Sequence, residues 1–156
     1  MGRIARYSFA LALALGAAAS CSNAEPGILA IRVDGAASVG GVVVNVATVK
    51  TARGALVSVV ASGPGEPHDG VLGASSHAPG RYVVTVVVAP CDVHGCAAVP
   101  TDFTAVPTYF DGLVRTPGAR QCSRAVDLKP GKRTEVAANT AGGVMTCEGS
   151  LRPIHS

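Results

Sequence analysis

Five Pro-Gly pairs, at Pro26-Gly27, Pro64-Gly65, Pro79-Gly80, Pro117-Gly118 and Pro130-Gly131, cut this chain into short lengths. In a type II turn proline supplies the fixed φ of the second position and glycine the positive φ of the third, so each pair is a natural reversal point. Four of the five separate runs rich in Val, Thr and Ile, at residues 27–33, 41–50, 55–61, 81–89, 121–128, 133–139 and 144–147. These runs are too short and too β-branched for helices and read as strands. Leu29, Ile31 and Val33 alternate with Ala30 and Arg32, which gives a half-buried strand with the first set inward. Tyr82, Val84, Val86 and Val88 form a second such face, and its reverse, Val83, Thr85 and Val87, is also largely apolar, the pattern of a central strand rather than an edge. Short strands with frequent turns predict an all-β, antiparallel sandwich of about 7 to 9 strands. No helix is expected in it.

Residues 1–20 have the three parts of an export signal: Arg3 and Arg6 in a charged start, an apolar stretch over 9–19, then small residues. The stretch is shorter than the roughly 20 apolar residues that span a bilayer. Ala18-Ala19-Ser20-Cys21 resembles the end of a bacterial lipoprotein signal, in which small residues precede a cysteine that becomes the lipidated N-terminus. The resemblance implies cleavage before Cys21, a palmitate-type lipid on that residue, and a membrane anchor in the cell envelope. Ser22 in place of Asp after the cysteine implies the outer membrane if the cell has two. Cleavage after Ser22-Asn23-Ala24 is the alternative; it discards Cys21 and leaves a secreted or periplasmic soluble chain. On the first route residues 21–26 are a short linker and 27–156 a single domain held close to the bilayer.

Removing 20 of 156 residues leaves 136, the size of one domain. Of 13 Lys/Arg, Arg3 and Arg6 leave with the signal, so eleven face ten Asp/Glu, a balance that does not point to nucleic acid. Residues 115–133 are locally basic, with Arg115, Arg120, Arg124, Lys129, Lys132 and Arg133 against Asp127. A solvated strand-and-turn surface accounts for them; contact with an anionic surface is the alternative.

Five cysteines less Cys21 leave Cys91, Cys96, Cys122 and Cys147, an even set that suggests two disulfides in an oxidising compartment. Cys91 and Cys96 flank Asp92-Val93-His94-Gly95, a hairpin-like turn, so the preferred pairing is Cys91 with Cys96 and Cys122 with Cys147. If those thiols were reduced, Cys91, His94 and Cys96 would offer copper or zinc three ligands from one turn, with His68 or His77 nearby as further imidazoles. A disulfide is the simpler reading of an exported cysteine pair. No metal site or cofactor is therefore expected.

Asp69, Asp92, Asp102 and Asp111 with His68, His77 and His94 are the raw material of a small hydrolase. They sit beside glycine or proline or at strand ends, where solvated turns account for them, and no nucleophile elbow, phosphate loop or zinc-protease motif accompanies them. An enzyme is not expected. Aromatics beyond the signal are limited to Tyr82, Phe103, Tyr109 and Phe110. Tyr82 reads as a packing residue whose hydroxyl anchors a corner. Tyr109, Phe110 and Asp111, before Gly112, mark a binding loop if the ring is exposed, or a buried strand pair leading into a turn. Pro90, Pro100 and Pro107 suggest an irregular excursion or edge strands between them. Loops at one end of a sandwich are common binding surfaces.

His68-Asp69-Gly70, followed by Ala78-Pro79-Gly80-Arg81-Tyr82-Val83-Val84-Thr85-Val86, resembles the carboxypeptidase-regulatory and transthyretin-like domains, and Gly41-Val42-Val43-Val44-Asn45-Val46 is similar to their preceding strand. The resemblance implies an immunoglobulin-like sandwich used for binding, spacing or assembly, with no catalytic residues. The expected function is a non-catalytic envelope lipoprotein that joins the membrane through Cys21 and engages an envelope protein.

Overall fold

The β-branched runs form eight strands: β1 (Gly27–Asp34), β2 (Val43–Thr51), β3 (Leu56–Ala61), β4 (Gly70–His77), β5 (Gly80–Pro90), β6 (Arg120–Leu128), β7 (Arg133–Asn139) and β8 (Thr146–Arg152). The computed structural model describes residues 24–62, 69–91 and 97–152, less the side chain of Arg152. Two four-stranded sheets face each other, ordered β4-β1-β7-β8 and β3-β2-β5-β6. The molecule is thus an all-β sandwich within the expected strand count.

One pairing departs from the antiparallel pattern of the others. β1 and β7 run parallel, from Ile28 beside Arg133 to Asp34 beside Asn139. The cause lies in the Pro130-Gly131 turn, where Gly131 takes a left-handed φ of 59°. β6 and β7 are joined by that turn but belong to different sheets. The chain therefore changes layer as it reverses, and β7 arrives alongside β1 in the same direction. Gly118, with φ 84°, makes the other left-handed Pro-Gly turn. Pro26-Gly27 is not a reversal: Gly27 opens β1, and a side chain there would press on the Lys129 carbonyl at 2.8 Å. Pro64-Gly65 lies outside the described residues.

The main core fills the space between the sheets. Leu29, Ile31 and Val33 of β1 meet Ala47 and Val49 of β2, Val84, Val86 and Val88 of β5, and Val126 and Leu128 of β6. The alternation read from β1 and β5 holds, since these inward residues are almost completely buried while Arg32 is exposed. Tyr82 extends the valine face and its hydroxyl donates to the Ala78 carbonyl at 2.8 Å, a corner anchor that ties β5 to the turn before it.

Two elements depart from the sequence expectation. The first is α1 (Val106–Val114), the one α-helix among the described residues, where no helix is expected. Pro107 stands in its first turn, where the missing N–H costs nothing and the fixed φ suits a helix. Val106, Tyr109, Phe110, Leu113 and Val114 recur at helical spacing, and the last four cover Val44, Val46, Val87 and Ala89 on the outer face of the second sheet. The second is β4, which falls in none of the strand runs read from the sequence. Its Gly73, Ala74, Ser75 and Ser76 have low strand propensity. It forms because β1 supplies a ladder from Gly27–His77 to Val33–Gly70, with a register shift between Ile31 and Arg32.

Gly73 marks where the two sheets come closest at this edge: a Cβ there would overlap a Val60 methyl from β3. Gly73→Ala should destabilise the domain by about 1–3 kcal/mol through overpacking. Combining it with Val60→Ala should return part of that loss, a coupling that a double-mutant cycle in urea measures.

Candidate functional site

Of the expected anchoring and disulfide residues, Cys21 and Cys96 lie outside the described residues. Cys122 on β6 and Cys147 on β8 are bonded to each other, with Cα atoms 5.5 Å apart, as the spacing suggested. They pin the edge strands of the two sheets together on the side opposite Gly73. Cys91 is also disulfide-bonded. Its sulfur therefore cannot serve as a thiolate ligand for copper or zinc while oxidised. His94 lies outside the described residues, and among those described no three metal-ligating side chains gather.

Tyr109, Phe110 and Asp111 do not form a loop or a strand pair; they lie in the middle of α1, a correction to both expectations. The wrong period was read: a residue pair next to glycine looked like a strand end, whereas Val106, Tyr109, Phe110 and Leu113 are spaced as a helix face. Phe110 and Tyr109 are half-buried against the second sheet. The Tyr109 hydroxyl donates to the Ala97 carbonyl at 3.0 Å, and burial raises its phenol above the ordinary range. Asp111 is exposed and rims a cavity of about 140 Å³ between α1 and the sheet, with Lys50 across the mouth and Leu56, Val106 and Phe110 inside. That cavity is smaller than the ~300 Å³ lower bound usual for a drug-sized ligand.

A larger groove, of about 310 Å³, opens between β6 and β8. Arg124, Asp127 and Lys129 line it with Val126, Thr134 and Leu151. Arg124 lies across Gly149, whose missing side chain leaves room for its stem: a Cβ there would sit 3.7 Å from the Arg124 Cγ. The groove is wide and cationic, and the nearby Thr134 hydroxyl is buried without a hydrogen-bond partner.

The acid and histidine side chains do not converge among the described residues. Asp69 accepts from the Ala36 amide at 3.0 Å and closes a loop. Asp102 accepts from the Thr104 hydroxyl and amide, bonds that lower its carboxyl below the ordinary range. His77 shares a 2.7 Å hydrogen bond between its Nε2 and the Ser75 hydroxyl and stacks, tilted, on Tyr82 at 5.4 Å. A serine beside an imidazole is the first half of an activated nucleophile, but no carboxylate orients this ring among the described residues. His68, His94 and Asp92 lie outside the described residues. Comparison with protein-family models, curated proteins and solved structures gave no match.

Sequence reasoning missed the most heavily bonded side chain. Arg120, read only as part of a basic run, donates to the Ser38 hydroxyl at 2.9 Å, the Thr140 carbonyl at 2.8 Å and the Ser38 carbonyl at 3.3 Å. Thr140 in turn bonds the Gly35 carbonyl through its hydroxyl and the Asp34 carbonyl through its amide. The β1–β2 and β7–β8 loops at one end of the sandwich are thereby tied to a single guanidinium. No local sequence signal marks such a role, because the partners are 82 and 20 residues away.

Two measurements check this description. Cys122 and Cys147 are 25 residues apart, so replacing both by serine should cost about 3–4 kcal/mol by the loop-closure argument, read from urea midpoints. Burial holds the His77 imidazole below its ordinary value of 6.5. The unfolded chain then takes up that proton first as pH falls, so His77 removes stability as pH drops below 6.5. His77→Gln should flatten the fall in urea stability across that window relative to the parent chain; an unchanged slope contradicts the assignment.

Proposed function

We propose that this protein is a non-catalytic envelope module, lipid-anchored at Cys21 and used for interaction or assembly. The observation that carries the reading is the way the sandwich begins. The Gly131 amide donates to the Pro26 carbonyl and the Ile28 amide to the Lys132 carbonyl, so the chain is bonded into the sandwich from residue 26, against the β6–β7 turn. Between Cys21 and Pro26 lie four residues, a span on the order of 15–20 Å at most when extended. The domain would then be held at the bilayer rather than displayed far from it.

A two-sheet sandwich is what the carboxypeptidase-regulatory and transthyretin-like resemblance implies. Such domains act as binding, spacing or assembly modules. The bonding pattern supports the same reading, since Asp69, Asp102, Arg120 and Tyr109 all bond backbone and help close loops. No helix among the described residues is long and apolar enough to cross a membrane.

The test is the intact mass of the protein from its native membrane fraction, with and without reduction. The expected species begins at Cys21, carries acyl mass, and gains two hydrogens per disulfide on reduction. An unmodified chain beginning at Glu25 would overturn the anchored reading in favour of a soluble exported protein.

A further inference from the structure

We propose that the end of the sandwich where the chain enters, its proximal end, is a contact surface for anionic lipid headgroups. The membrane's position on that side rests on the anchored reading above; the surface itself stands on the register. β1 and β7 begin at this end, and β2, β4 and β6 finish there, since Gly27 pairs with His77, Ile28 with Arg133 and Gly80 with Leu128. Thr51 pairs with Tyr82, and the Ala52 amide donates to the Arg81 carbonyl. The β2–β3 turn is therefore brought beside the start of β5.

The placement gathers cations that are scattered along the sequence. Lys50 and Arg53 come from the β2–β3 turn, Arg81 from the start of β5, and Lys129, Lys132 and Arg133 from the β6–β7 turn. All are exposed except Arg133, which is half-buried. None forms an ion pair or side-chain hydrogen bond among the described residues. The carboxylates at this end are Glu25, which lies against Gly131, Asp127, which is opposite Arg81 on β5, Asp111 of α1, which shares a cavity rim with Lys50, and the half-buried Glu135 of β7.

The far, distal end uses its charges differently. Arg32 is paired with Asp34 at 2.9 Å, Asp69 holds the Ala36 amide, and Arg120 is committed to Ser38 and Thr140. Near-neutral net charge thus conceals a polar molecule in which six exposed or half-buried cations gather where the chain enters, against Arg115 at the distal end and Arg124 in the β6–β8 groove. Lysines and arginines held near an anionic bilayer surface are attracted to it within a Debye length. Clustering on one pole would also orient the domain, with the distal loops turned away from the lipid.

The experiment uses the chain from Ser22 onward, which has no lipid and retains the complete two-sheet core. Its cosedimentation is compared on vesicles of phosphatidylcholine alone and of phosphatidylcholine mixed with phosphatidylglycerol. Binding is expected only to the mixed vesicles and should weaken as salt rises. K129Q combined with K132Q should lower that binding about tenfold or more, whereas R115Q at the distal end should not. Circular dichroism confirms that each variant keeps its strands. Equal binding to both vesicles, binding to neither, or a double variant indistinguishable from the parent overturns the proposal. A lipidated Cys21 by mass with no phosphatidylglycerol preference would remove this surface and leave the anchor. Preference without lipidation would do the reverse.

Discussion

The rest of the structure follows from the fact that β2 and β5 are apolar on both faces. Val84, Val86 and Val88 face the opposing sheet, while Val87 and Ala89 face out, beside Val44 and Val46 of β2. A sheet with one greasy face can leave the other in water, but strands like these must be covered twice. The second sheet covers one side. The chain between β5 and β6 folds back as α1 to cover the other, placing Phe110, Leu113 and Val114 over the outer valines. Each fully buried valine contributes roughly 1.5–3 kcal/mol relative to exposure. Leaving that outer patch bare would therefore cost more than one short helix does to form.

Closing the two sides of the sandwich takes different chemistry. At the β3–β4 side the sheets approach until Val60 fills the space above Gly73, so closure depends on an absent side chain. At the β6–β8 side the disulfide between Cys122 and Cys147 joins the edges covalently, and the groove lined by Arg124 and Lys129 stays open beside it. The distal loops bury Ala36, Val39 and Met145 against the core and are further held by Arg120 and Thr140. Apolar contact, a covalent bond and a hydrogen-bonded guanidinium thus each fix one margin of a core built mainly of valine.

What the sequence discloses is uneven for physical reasons. β1, β5 and β7 are legible because β-branched residues alternate or run continuously at strand length, and β5 reads as central because its second face is apolar too. That same second face is the clue to α1, since it demands a cover, but Pro107 reads as a breaker unless the first turn of a helix is considered. β4 is hidden because small residues carry no period, and only pairing with β1 makes it a strand. Cys122 and Cys147 are legible by counting. Tyr109, Phe110 and Asp111 are legible as a notable group but not as a helix face. The Arg120 clamp and the proximal cations are invisible locally, because both are assembled by sheet register from distant turns.

The parallel pairing of β1 with β7 has a mechanical side. β1 lies inside its sheet, bonded along its length to β4 on one flank and β7 on the other. A tension applied at Glu25 and directed away from the proximal end runs along the axis of β1 rather than across it. Ladder bonds on both flanks then bear the load together, in shear, instead of parting one after another as a zipper does. A strand bonded on both flanks in this way resists axial extraction more than an edge strand of its sheet does.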